Sequence, residues 1–397
     1  MRLSTTTNIL SRTDQTPPER VVFKQMELCR EAGFQHLDLH LSALAREGFP
    51  LAQDGWERWI GEVGDKAARL GVTLYQGHSF HYTTRESTDM RIDRAWYEER
   101  FRRSILAAHR LGIRWIVMHP CDFNADPEYD FDKARRFNLT YWKPFVEMAA
   151  RLNVGIAFEN LFASGRHARY CSRADELIDL VDTLGDPHVG ICWDTGHAYV
   201  AGQNQPQAIR KIGSRLKAMH IHDNHGLPRG DEHLLPYFGT VDWPPILEAI
   251  HAIGYDNNFS LEVKQATYNL PPELCGDMLR FMFRLGEELM RMGAARREAA
   301  DDRSRISGRW RRVSPRSFQH QRLLSKGRDA VSAGLRRHGN GQASQKRRAG
   351  KRGAADGVAY ASARRSCGRS GNAAGVLPPC PSHARHGRSS GRNGLRD

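Results

Sequence analysis

No Cys-x-x-Cys pair occurs among the seven cysteines, which are scattered as Cys29, Cys121, Cys171, Cys192, Cys275, Cys367 and Cys380. An odd, dispersed set argues against a disulfide framework and leaves reduced thiols in a cytoplasmic compartment as the expectation. No stretch approaches the roughly 20 apolar residues of a membrane span. No basic segment followed by an apolar run opens the chain, so no signal peptide and no membrane partner are expected. No Gly-x-Gly-x-x-Gly follows the first apolar run, which disfavours a doubly wound dinucleotide-binding sheet. No solenoid repeat is present. What the first 293 residues also lack is excess positive charge. Residues 294–397 carry 25 of the 59 basic residues and only 6 of the 45 acidic ones, so the net +14 of the chain conceals a body at net −5.

The body alternates short apolar runs with longer stretches of helical spacing. Strands are expected at Arg2–Thr7, His36–His40, Val72–Gln76, Trp115–His119, Gly155–Glu159, Val189–Asp194, Ala218–His222 and Ser260–Val263. Helices are expected between them, among these Phe101–Leu111, Phe145–Leu152, Ala174–Leu184 and Pro245–Ile253. Gly33, Gly71 and Gly112 each close a helix just before a strand, as a C′ glycine does. Eight such units over residues 1–293 predict an α/β fold, a (β/α)8 TIM barrel.

Residues 294–397 read differently. They are rich in Arg, Gly, Ser and Ala, poor in aromatics and without sustained periodicity. Such a segment buries too little apolar surface to offset its ordering entropy and is expected to be a disordered basic tail. It is either an arm that attracts nucleic acid or an extension, such as an out-of-frame read, on which no function has been selected.

In a barrel of this kind the chemistry collects at the C-terminal ends of the strands. Six consecutive expected strands end in a metal-capable side chain: "LYQGHSFH" with His78, "WIVMHP" with His119, "GIAFEN" with Glu159, "VGICWDTGH" with Asp194 and then His197, "KAMHIHDN" with His220 and His222, and "FSLEVK" with Glu262. Taken singly, each has an ordinary explanation: a hydrogen-bonded histidine, a salt-bridged glutamate, an aspartate capping the next helix. Jointly those explanations fail, because two Glu, an Asp and a His around one mouth are costly to bury without a cation. The mixed oxygen and nitrogen donors suit a divalent metal ion, Mn2+, Mg2+, Co2+ or Zn2+, rather than a thiolate-rich zinc site. In "HIHDNHGLPRGDEH" the strand period points His220 and His222 the same way, and Asp231-x-His233 can add two ligands from one turn. His222 and His225 are weaker candidates, with a supporting or substrate-contacting role as the alternative.

With "FEN", "DTGH", "HIHDN", "GDEHLLPYFGTVDW" and "SLEV" in this order, residues 1–293 resemble the xylose isomerase-like TIM-barrel superfamily of sugar-phosphate isomerases and epimerases. That superfamily includes the endonuclease IV branch, also called AP endonuclease family 2. The resemblance implies one metal bound by Glu159, Asp194, His220 and Glu262, proton transfer by Glu159 and Glu262, and contact of His197 with a substrate oxygen. In the tagatose-epimerase branch an arginine follows the ligand histidine by six residues; here that position is Gly226. The endonuclease IV branch binds three zinc ions through nine ligands. Candidates for all nine are present as His78 (with His81 as rival), His119, Glu159, Asp194, His197, His220, Asp231, His233 and Glu262.

The expected function is therefore a metal-dependent sugar or sugar-phosphate isomerase or epimerase in which two opposed glutamates move a proton through an enediolate. The alternatives are a trinuclear zinc AP endonuclease, or a dehydratase or lyase on the same scaffold. Phosphodiester hydrolysis would need a basic DNA-gripping rim. The net −5 body, with only Arg229, "TTRESTDMR" and Lys264 near the ligands, argues against a nucleic-acid partner for the barrel. The expected partner is a small sugar. The loops "RESTDMRIDR" and "CDFNADPEYD" are expected to shape the pocket, and the resemblance leaves room for a homo-oligomer.

Overall fold

Each apolar run pairs with the next one along the chain, and the last returns to the first. A computed structural model describes residues 1–82, 93–121, 129–162, 169–226 and 230–311, with side chains through Ala294. The strands are β1 (Arg2–Thr6), β2 (His36–His40), β3 (Thr73–His78), β4 (Trp115–Met118), β5 (Gly155–Glu159), β6 (Val189–Asp194), β7 (Leu216–Ile221) and β8 (Asn258–Leu261). All neighbours are parallel, and β1 closes the ring against β8 with Arg2 opposite Asn258 and Thr5 opposite Leu261. This is the expected TIM barrel. Among the described residues no helix is long and apolar enough to cross a membrane.

The helices outside the ring follow local signals. Helix α1 (Pro18–Ala32) ends at Gly33, α3 (Trp56–Leu70) at Gly71 and α4 (Arg94–Leu111) at Gly112, all three glycines left-handed. Between α1 and α3 lies the short α2 (Leu41–Leu44). Helix α4 begins well before the expected Phe101 because Asp93 caps it, accepting from Trp96 N at 3.2 Å. In its first two turns Ala95, Trp96 and Tyr97 stand side by side rather than at helical spacing, which hides the start. Helix α5 (Phe131–Arg151) likewise starts at an aspartate cap, Asp130, and runs through Pro144, the residue that made the sequence pattern begin at Phe145. Then come α6 (Ala174–Leu184), α7 (Thr195–Val200), α8 (Gln205–Ile212), α9 (Trp243–Ala252), α10 (Gln265–Tyr268) and α11 (Cys275–Arg311). The last backbone helix thus passes the expected boundary at 293. The described residues all lie in one unit, Met1–Leu323, while residues 312–397, most of the expected tail, lie outside them. So do Arg229 and most of the two pocket-shaping loops, residues 85–92 and 122–128.

Strand alternation divides the apolar residues into two clusters. Ile156 and Phe158 of β5 face the helices and join the large outer core. Ala157 faces inward and packs with Trp115, Val117, Cys192 and Ala218 inside the ring. The Trp115 ring, with Tyr75 packed against the cluster, fills the barrel's interior below the rim. Gly155 makes room for it: a Cβ there would lie 2.3 Å from the Trp115 ring. Above this plug, a cavity opens toward the C-terminal rim. Gly155→Ala is expected to lower unfolding stability by about 1–3 kcal/mol through overpacking, measured by urea denaturation.

Candidate metal centre

The inward alternation that places Ala157 inside the barrel also brings Glu159, two residues on, to its rim. Asp194 ends β6 opposite His220 of β7, and His220 lies opposite Ser260 of β8. Glu262 is the first residue past β8. The four side chains converge: donor atoms of Glu159, Asp194, His220 and Glu262 all lie within 4.8 Å of one another, and all four residues are buried. His220 Nδ1 stands 2.9 Å from Glu159 Oε1 and 3.3 Å from Glu262 Oε2.

Two further groups flank this one. His78 Nε2 and His119 Nε2 approach Glu159 Oε2 at 3.3 and 3.0 Å, and His81 lies in the same group. On the other side His197, His222, Asp231 and His233 cluster. Asp231 Oδ2 is 2.9 Å from His233 Nε2 and 3.5 Å from His197 Nε2, while His222 Nε2 reaches Asp194 at 2.9 Å. Gly196 permits this packing, because a Cβ there would fall 1.9 Å from the His222 ring.

The ring nitrogens facing away from these groups are held. His78 Nδ1 contacts the Ser79 carbonyl, His197 Nδ1 the Asn160 carbonyl and His233 Nδ1 the Glu262 carbonyl, each at 2.9 Å. His220 Nε2 contacts the buried Asp38 carboxylate at 3.1 Å, which also accepts from Ser260 Oγ and Gln76 Nε2. A carbonyl or carboxylate on one nitrogen fixes the tautomer and ring orientation and raises the basicity of the other, as around metal-bound histidines. The strand ends are fixed too. Asn160 accepts from Asp194 N at 2.7 Å and donates to Asp194 O at 2.9 Å, clamping β6 to the residue after Glu159.

Electrostatics show what the residues need. Burial disfavours charge on Glu262, but the neighbouring His220 and His233 hold its carboxyl down to about 2. Burial also opposes ionisation of Glu159 and Asp231, and neighbouring histidines hold both well below the usual range. Conversely, burial would neutralise His197, yet Asp194 and Asp231 raise it to about 10. Against burial, His220 is raised by Cys192, Glu262 and Glu159, His78 by Glu159 and His222 by Asp194. Protons on histidines thus supply the counter-charge to buried carboxylates. Glu159 Oε2 and Asp231 Oδ1 remain buried without an acceptor geometry that any donor satisfies. Carboxylates and imidazoles so arranged fit a divalent cation, which would replace those protons and fill the open oxygen positions.

All nine candidate ligands named in the sequence therefore fall in three adjoining groups. His81 stands beside His78 rather than replacing it, with Nδ1 3.0 Å from Ser42 Oγ. His222 joins the Asp231 group. His225 does not: it is exposed and contacts Glu232 at 3.1 Å. Sequence reasoning missed Asp38, whose one signal is an acid between the leucines of "HLDLH". It also missed Asn160 as the clamp between strands. A cavity of about 580 Å³ opens over the three groups, in the ordinary range for a small-molecule site.

Two outcomes are expected. Asp38→Asn removes the charge that orients His220 and should weaken divalent-metal binding about 10- to 100-fold in competition with a chelating dye. Metal added to the apo protein at neutral pH should release protons, because the raised histidines must deprotonate to bind. Calorimetry in buffers of different ionisation enthalpy reads this directly, and affinity should rise with pH.

Comparison with known proteins agrees with the fold and the motifs. Residues 26–285 match the family described as xylose isomerase-like TIM barrel. An uncharacterized protein of Sinorhizobium fredii is 39% identical over 274 residues, covering 62% of this chain and 82% of that protein. A D-psicose 3-epimerase of Enterocloster bolteae is 29% identical over 160 residues, 40% of this chain and 49% of its own length. The crystal structure of a D-tagatose 3-epimerase-like protein superposes with a TM-score of 0.57 at 20% identity, covering 73% of this chain and 98% of that one, a likeness of fold. With the family match spanning most of the barrel, this chain belongs to the xylose isomerase-like TIM-barrel family.

Proposed function

We propose that this protein is a metal-dependent isomerase or epimerase of sugars or sugar phosphates. The observation that carries the reading is the pair of buried carboxylates, Glu159 and Glu262, meeting at one imidazole from strand ends three positions apart in the ring. A divalent cation held by Glu159, Asp194, His220 and Glu262 would polarise the carbonyl and neighbouring hydroxyl of a keto sugar and acidify the adjoining C–H.

The remaining work falls to the chain itself. One glutamate, ionised at neutral pH, accepts the proton from the carbon next to the carbonyl, and the C–H electron pair forms the enediolate. The other, protonated from solvent, returns a proton to the opposite face for epimerisation, or to the former carbonyl carbon for isomerisation, in which case the neighbouring hydroxyl passes its proton to the former carbonyl oxygen. His197, which lines the cavity and is kept protonated by Asp194 and Asp231, is placed to donate to a substrate oxygen. The apolar rings of Phe162 and Tyr82 also line the cavity and limit water around the exchanging proton.

A second reading rests on a specific observation, the two further ligand groups around His78 with His119 and around Asp231 with His233. Three cations there would suit hydrolysis of a phosphodiester. Metal content and isotope exchange separate the two. The isomerase reading expects about one tightly held ion per chain, and deuterium incorporated from D2O into a ketose. Glu159→Gln or Glu262→Gln should slow that exchange by about 10²–10⁴-fold. Close to three zinc ions per chain, cleavage of abasic DNA and no exchange into any ketose would establish the second reading instead.

A further inference from the structure

Three carboxylates line the cavity, Glu159, Asp231 and Glu262, and all belong to the ligand groups. Past Glu262, the corner between β8 and β1 also carries donors. Lys264, two residues past Glu262 at the entry to α10, lines the cavity half-buried, and its ammonium forms no ion pair among the described residues. Gln25 of α1 reaches the same cavity with 7% of its surface exposed, and its amide has no hydrogen-bond partner among the described residues. Asn8, just past β1, uses its carbonyl oxygen to accept from Thr6 Oγ1 at 2.7 Å, which leaves its NH2 group free to donate.

This corner is built rather than loose. Ser11 Oγ donates to Leu270 O at 2.5 Å and Arg12 N to Tyr268 O at 2.9 Å, tying the segment after β1 to the segment after β8. His40 faces it as a neutral ring: burial, with the charges of His78 and Lys264, lowers it to about 3. A buried carboxamide without a partner and a half-buried ammonium without an acid both lack what an oxyanion supplies.

Resting on the isomerase reading, we infer that Lys264, Gln25 and Asn8 bind an anionic group, phosphate or carboxylate, on the substrate end remote from the reacting carbons. The substrate class is then sugar phosphates or sugar acids rather than neutral sugars. The ammonium contributes charge-assisted hydrogen bonds, and the two amides direct the anion's remaining oxygens.

The test uses the full-length, metal-loaded protein. Deuterium exchange from D2O is compared for D-ribulose 5-phosphate against D-ribulose, D-fructose 6-phosphate against D-fructose, and D-fructuronate against D-fructose. The anionic member of at least one pair is expected to have the higher kcat/KM, and the pair identifies phosphate or carboxylate as the source. In Lys264→Met that preference should fall about 10- to 100-fold, and Lys264→Arg should restore most of it. A second readout needs no turnover: the affinity for inorganic phosphate, or for acetate as the carboxylate probe, should fall by a similar factor in Lys264→Met. Equal turnover of neutral and anionic sugars, or equal anion affinity in wild type and Lys264→Met, overturns the anion site and leaves the isomerase reading standing. Exchange into no ketose, with anion binding still dependent on Lys264, upholds the anion site and rejects the isomerase reading.

Discussion

Buried negative charge must be balanced where water cannot reach it, and this constraint governs the upper half of the barrel. Closing eight parallel strands brings their C-terminal ends onto one rim, and here those ends carry Glu159, Asp194 and, one step on, Glu262, each at most 5% exposed. Asp38 adds a fourth acid beneath them. Each unpaired carboxylate would cost several kcal/mol even after relaxation of the surroundings. Histidines from β3, β7 and the loops between strands meet that demand, and their upward-shifted proton affinities record it. A counter-charge made of protons is replaceable. A divalent cation would satisfy the same carboxylates with one charge centre and free the imidazoles to act as neutral ligands.

Such a balance holds only if the donors stay in register, and the supports do not depend on any ligand. The Asn160 clamp joins the ends of β5 and β6. Asp223 organises the loop that carries Asp231 and His233. Its carboxylate accepts from Asn224 N, Val241 N, Tyr237 N and Trp243 Nε1 at 2.8 to 3.0 Å, and its backbone pairs with Leu234 in both directions. Gly239 lets the chain pass, since a Cβ there would sit 2.3 Å from Asp223 Oδ1. His233 is held in left-handed backbone at φ 47°. A non-glycine residue in that region is retained where the surroundings over-determine it, here by the Glu262 carbonyl on one ring nitrogen and Asp231 on the other.

What could be read from the sequence follows the same physics. The eight strands were legible because apolar runs and C′ glycines recur at intervals, and the rim residues because each ends its own run. The contiguous Ala95, Trp96 and Tyr97 at the start of α4 and the proline inside α5 hid helix starts that aspartate caps define. Asp38 was hidden for another reason. It sits mid-strand among leucines, and its partner His220 lies 182 residues away, so no local spacing marks the pair. Lys264 was visible as a scattered cation, but its lack of an acidic partner is a fact of three dimensions. Gln25 lies on a helix whose periodicity speaks only of its apolar face, and its approach to the cavity follows from the closure of β1 on β8.

The orientation of a substrate needs a fixed point away from the reacting carbons, because binding at the metal end alone leaves the rest of a polyol free to rotate. In the tagatose-epimerase branch of the resemblance an arginine is present at the position of Gly226. Here that residue has φ +69°, its Cβ position would press on Tyr199 at 3.0 Å, and it does not line the cavity. A side chain there is disfavoured by the positive φ and would need the Tyr199 ring to shift. At the β8–β1 corner Lys264 and Gln25 face the cavity without a hydrogen-bond or ion-pair partner among the described residues. If that corner holds the far end of a substrate, as proposed, binding energy gathered there would be available to align the reacting bond, and only a substrate long enough to touch both ends would benefit.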